Sequence, residues 1–122
     1  MHVYRDSASI HEAHAEAFGS ELGDLIGRRI EELAEYEEDD LSSLIKILVL
    51  EPSDALTDVD AELGFSLLDR PCDVAESHRD WFELTLVLSD DGFGVVIYAP
   101  KHPDTNPLLL AYCASQMEAS SP

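Results

Sequence analysis

The stretch Phe82-Glu83-Leu84-Thr85-Leu86-Val87-Leu88-Ser89-Asp90-Asp91-Gly92-Phe93-Gly94-Val95-Val96-Ile97-Tyr98-Ala99 reads as a β-hairpin. Phe82, Leu84, Leu86 and Leu88 recur with period two, so one face of the strand is apolar. Asp91-Gly92 is a favoured pair for a type I′ turn, in which both central residues need positive φ. A turn there sets Leu88 opposite Val95, Leu86 opposite Ile97 and Leu84 opposite Ala99, each an apolar pair. A one-residue slip would put Leu86 against Val96, on the wrong face.

Working outward, Leu44 to Leu50 is short, β-branched and apolar at nearly every position, which suits a strand covered on both faces. Pro52 ends it, because proline cannot donate to a ladder. Thr57 is placed to cap a short helix over residues 58–63, with Gly64 as its stop. Residues 65–79 read as a connection around Pro71. Beyond the hairpin, Pro100 and Pro103 close the second strand, and Asn106-Pro107 opens a last helix over 108–117. Residues 1–6 either add a short strand or hang loose, which leaves 1–8 open to fraying, and the small, polar tail 118–122 is expected to fray.

The N-terminal third reads as one long helix from about Ile10 to Tyr36. Ser9 and Glu12 have the spacing of a capping box, and Phe18, Leu22, Leu25, Ile26, Ile30 and Leu33 recur at helical spacing. At 1.5 Å per residue such a helix is about 40 Å long, more than a small domain needs. It must break near a glycine or project toward a second subunit. The expected architecture is a single α+β domain over 1–122: a long N-terminal helix on a sheet of about three strands, with a short middle helix and a C-terminal helix.

Charge is the outlying feature. Among 122 residues, 26 acids face seven bases, a formal charge of −19, while 45% of the residues are hydrophobic. That apolar content supports a packed core, and no apolar run approaches the roughly 20 residues of a membrane helix. The surface repels nucleic acid and anionic lipid and attracts basic partners, divalent cations or protein surfaces that hold DNA; the alternative is high solubility with no partner encoded. Residues 1–6 have no signal-peptide core and the two cysteines, Cys72 and Cys113, lie in unlike surroundings. A cytoplasmic chain with reduced, packed thiols is expected.

Several side chains stand out as candidates for function. Seven of the ten residues from Glu31 to Asp40 are acidic. On a helical wheel Asp24, Glu31, Glu35 and Glu38 share a face, as either a solvated surface or an interaction surface. Its charge spacing, about one per 2 Å if the helix continues, is comparable with duplex DNA, which raises mimicry of DNA as an alternative. Gly19, Gly23 and Gly27 form a stripe at spacing four, continuous with Ala15. Each interior glycine costs a helix about 1 kcal/mol relative to alanine, so a close backbone contact, within the chain or between subunits, is expected. Phe18 lies beside this stripe. Arg28 sits in the acidic face, and Arg29 falls on the apolar side. There its stem packs and its head snorkels, or it pairs with a carboxylate from elsewhere. His11 and His14, at i, i+3, are weak candidates for zinc, with no third ligand fixed. His2, His78 and His102 read as isolated and exposed. Asp54, Asp58, Asp60 and Glu62 fail the calcium-loop pattern, since Val59 and Phe65 occupy the sixth and twelfth positions; they read as charges near the start of the short helix. No phosphate loop, nucleophile elbow or dinucleotide fingerprint occurs, and no cofactor or catalytic residue is expected.

Two stretches, Val49 to Phe65 and Leu86 to Gly94, resemble small uncharacterised "plasmid-related" proteins of bacterial conjugative plasmids and integrative elements. The resemblance implies a bacterial cytoplasmic setting and an accessory role on mobile DNA, and transfers no site residue. Together these readings favour a non-enzymatic accessory protein acting by protein–protein contact, with a basic partner and as a homodimer through the glycine stripe and Arg29. It is expected not to bind nucleic acid or membrane. The alternatives are an acidic DNA mimic occupying the DNA site of a basic protein, and a metal protein or enzyme without a visible motif.

Overall fold

The computed structural model describes residues 1–34, 45–70, 72–87 and 94–120. Among them the chain is α+β. Its elements are β1 (His2–Tyr4), α1 (Ser7–Glu16), α2 (Glu21–Ala34), β2 (Ile45–Val49), α3 (Leu56–Leu63), β3 (Val74–Ser77), β4 (Trp81–Val87), β5 (Gly94–Pro100) and α4 (Pro107–Ser120). The strands form one mixed sheet in the order β1-β2-β5-β4-β3. β2 and β5 run parallel, and the other neighbours run antiparallel. The expected sheet of about three strands is corrected to five. The two additions are the edge strands, three and four residues long. Neither contains a fully buried residue, and in three or four residues Val3, Tyr4 and Ala75 are only partly covered, too short a pattern for the apolar alternation that marks a strand.

The hairpin is present with its faces as expected and its register shifted by two. Leu86 pairs with Val95, Leu84 with Ile97, and Phe82 with Ala99. A shift of two preserves the side of the sheet on which every residue lies, because strand side chains alternate with period two. Leu84, Leu86, Val95 and Ile97 are all buried. Leu88 and the Asp91-Gly92 turn lie outside the described residues.

The long N-terminal helix is corrected to two. α1 ends at Glu16, the Ala17 N–H bonds back to Ala13, and Gly19 takes a left-handed φ of +87°. The Ser20 hydroxyl then accepts from the Gly23 N–H and opens α2. Glycine reaches that φ without the penalty a Cβ imposes. The N-terminal cap is also one turn earlier than expected. Asp6 caps α1, its carboxylate accepting from the Ser9 N–H at 2.7 Å while Ser9 Oγ accepts from the Asp6 N–H. A carboxylate at the cap adds a favourable charge to the helix start.

The two helices double back and cover one face of the sheet. Ile10 and Ala13 of α1 and Leu25 and Ile26 of α2 pack with Ile47 and Val49 of β2 and Val96 and Tyr98 of β5. The opposite face packs Leu48, Leu84, Leu86, Val95 and Ile97 under Val59 of α3 and Leu109, Tyr112 and Cys113 of α4. Helices therefore cover both faces, not one, and β5 is buried along its whole length. Fully buried side chains such as Ile26 and Leu86 each contribute about 1.5–3 kcal/mol of transfer free energy.

The remaining elements follow local chemistry. α3 begins at Leu56, not 58, because the Asp58 carboxylate accepts from the Ala55 N–H and replaces the expected Thr57 cap. Gly64 ends it in the left-handed conformation, as expected. Asn106 Oδ1 accepts from the N–H groups of Leu108 and Leu109, and Pro107 takes the first helical position of α4. That helix continues through residues 118–120, where fraying was expected. At the other end, residues 2–4 form the short strand β1, one of the two expected alternatives, and residues 7–8 begin α1.

Candidate functional site

Leu84 and Leu86 point toward α3 and α4, so the alternation of β4 turns Glu83 and Thr85 toward α1 and α2. The ladder sets Glu83 between Glu76 of β3 and Tyr98 of β5. Only 3% of Glu83 is exposed. A buried carboxylate survives only when paired and hydrogen-bonded, and this one is. Its Oε2 accepts from Tyr98 Oη at 2.8 Å and from Arg29 Nε at 3.2 Å. Its Oε1 accepts from His78 Nε2 at 3.0 Å. Arg29 is thus not a snorkelling side chain. Its Nη2 also donates to Thr85 Oγ1 at 2.9 Å, and its Nη1 lies 3.4 Å from Glu32.

This network sets the acidities. Burial alone would raise the Glu83 carboxyl. The hydrogen bonds from Glu76, His78 and Tyr98, with the Arg29 charge, outweigh it and hold Glu83 below the usual carboxylate range. Hydrogen bonding to Glu83, then burial and the charge of Glu83, pushes Glu76 upward. Burial, followed by the Glu83 charge, pushes the Tyr98 phenol far above its ordinary range, so Tyr98 is a fixed donor. Beside the network a cleft of about 210 Å³ opens between α2 and the β3–β4 pair, lined by Arg28, Arg29, Glu32, Val74, Glu76, Glu83 and Thr85. Among the described residues Glu76, His78 and Glu83 form the one group of metal-ligating side chains, their donor atoms all within 4.8 Å of one another.

The structure divides the other expected residues. Arg28 and Glu32, both exposed, line the cleft beside this centre, whereas Asp24 and Glu31 on α2 and Glu12 and Glu16 on α1 are exposed away from it. Glu35 and Glu38 lie outside the described residues. The glycine row is divided. Gly19 forms the interhelix turn, and an added Cβ there would meet nothing. A Cβ on Gly23 would come within 2.2 Å of Ala17 O, and one on Gly27 within 2.9 Å of His14 Nε2. Gly23 and Gly27 therefore serve contact with α1, and Leu25 and Ile26 face the sheet, which removes the surface expected for a homodimer. Phe18 remains 82% exposed. His11 is exposed and His14 half-buried against Gly27, and neither belongs to a group of ligating side chains among the described residues.

The acids after β2 are structural, and only Asp58 does the expected work at the start of α3. Asp54 accepts from the Glu51 N–H, Asp60 accepts from the Leu67 N–H, and Glu62 pairs with Arg5 and Lys46. Cys72 and Cys113 are free, and burial pushes the Cys113 thiol up to about 12.

Sequence reading missed Glu83, His78, Tyr98 and Glu76. His78 was expected to be isolated and exposed; its side chain is 19% exposed and bonded to Glu83. Two signals for the centre were present. Val96 and Tyr98 are bulky on the second face of β5, which implies a cover there, and Arg29 on the apolar side of its helix requires a carboxylate under that cover. No protein-family model matches the chain, and comparison with curated proteins and with solved structures gave no match.

Proposed function

We propose that this chain is a non-enzymatic accessory protein that acts by contact with a basic protein. The observation that carries the reading is the outer side of the α1–α2 layer. Glu12, Glu16, Asp24 and Glu31 are exposed there, while the apolar sides of the same helices are taken up by the sheet. In a chain of formal charge −19, such a layer steers basic partners and repels polyanions. The setting on a bacterial mobile element rests on the resemblance of residues 49–65 and 86–94 alone. Self-association stays in the proposal only through the exposed Phe18, and sedimentation of wild type and Phe18→Ser tests it.

The main test is capture from bacterial extract by wild type and by Asp24→Lys/Glu31→Lys. At about 0.15 M salt wild type retains a basic protein, and the reversed variant releases it. Equal retention by both overturns the reading. Displacement of the captured protein by duplex DNA identifies the narrower alternative, mimicry of DNA.

A further inference from the structure

We propose that Glu76, His78 and Glu83 bind one zinc ion at the β3–β4 hairpin, with water completing the shell from the cleft. The distances suit the ion. His78 Nε2 lies 3.0 Å from Glu83 Oε1 and 3.8 Å from Glu76 Oε2. Two donors of a tetrahedral zinc with bonds of 2.0–2.1 Å stand about 3.3 Å apart, between these values. Glu76 is half-exposed and can make the small movement required.

The buried ligand is already oriented. Arg29 and Tyr98 both hold Oε2 of Glu83, which turns Oε1 toward His78. They would remain as outer partners, the arrangement that fixes a ligating carboxylate in metal sites. Binding substitutes the ion for the protons that His78 and Glu76 share with Glu83 and leaves the bonds from Arg29 and Tyr98 in place.

Charge and donor type point the same way. Glu76 and Glu83 are directly opposed in the ladder, where like charges repel. Arg29 meets the far oxygen of Glu83 and Glu32, and among the described residues the ion-pair partner of Glu76 is His78. An imidazole with two carboxylates suits zinc. Calcium and magnesium prefer oxygen alone, and thiophilic ions prefer sulfur. The imidazole separates this group from the many acidic clusters of the surface.

The test titrates zinc into the chelator-treated full chain against a chromophoric chelator, with excess magnesium to occupy the surface carboxylates. One equivalent is expected per chain. His78→Asn and Glu76→Gln, each checked for folding by circular dichroism, should weaken binding roughly tenfold or more. His11→Ala/His14→Ala should bind as wild type. Histidine ring resonances of the wild-type protein supply a readout free of substitution: at one equivalent of zinc, those of His78 shift. Binding unchanged in His78→Asn, zinc lost to magnesium, or a shift confined to His11 and His14 overturns the proposal.

Discussion

The Tyr98 hydroxyl donates to Glu83 Oε2 at 2.8 Å from inside an aliphatic layer, with both residues almost wholly buried. Deleting that hydroxyl leaves part of a buried charge without its donor. Tyr98→Phe is therefore expected to lower stability by about 1.5–3 kcal/mol, the range for a bond to a charged group. Urea unfolding measures this as a fall in midpoint at unchanged slope.

Arg29 supplies the compensating charge for the same carboxylate. Arg29→Met keeps much of the stem packing and strands Glu83, at an expected cost of about 3–5 kcal/mol. Adding Glu83→Gln removes the stranded charge, so the double variant should be more stable than Arg29→Met alone. Additive losses in the double-mutant cycle would show that the pair is not coupled.

Glu76 and Glu83 respond oppositely to pH. The carboxyl of Glu83 is depressed, so its contribution is present above the ordinary carboxylate pKa and is lost as pH falls through the lower folded value. The carboxyl of Glu76 is raised, so its ionised form opposes folding at pH 7, and protonation relieves that. Glu76→Gln should stabilise the protein by a few tenths of a kcal/mol at pH 7. The advantage should close as pH falls through the raised value. Thermal melts of both chains across pH 3–8 measure it.

Gly23 and Gly27 look equivalent in sequence and should not behave alike. An alanine at 23 collides with the Ala17 backbone carbonyl, and its overpacking should cost about 1–3 kcal/mol. An alanine at 27 meets only the end of the His14 ring, which can turn aside, and it gains up to about 1 kcal/mol of helix propensity. Denaturant midpoints should fall for Gly23→Ala and hold or rise for Gly27→Ala. A loss of subunits rather than of stability in Gly23→Ala would contradict the intrachain contact.

The parts of the fold that could be read from the sequence were those whose side chains carry a period. β2 and the β4–β5 hairpin were legible because burial on fixed faces imposes a pattern, and that pattern tolerated an even shift in register. The break at residues 17–20 was not located, because Phe18 and Leu22 continue the helical spacing through it while the decisive event is one φ angle at Gly19. β3 was invisible because Val74-Ala75-Glu76-Ser77 is mostly exposed. The buried network was illegible for a different reason. Its members lie on α2, beside β3, on β4 and on β5, and only the strand order brings them together.

That order also has a temporal side. β5 separates β2 from β4 in space, although β2 precedes it in the chain by more than forty positions. During synthesis β2 emerges with its parallel neighbour still unmade, and the Glu83 carboxylate appears before the Tyr98 phenol that will bind it. The sheet closes late, through a pairing of high sequence separation, the kind that slows folding. Until β5 inserts, the apolar edges of β2 and β4 have only each other, or another nascent chain, to pair with.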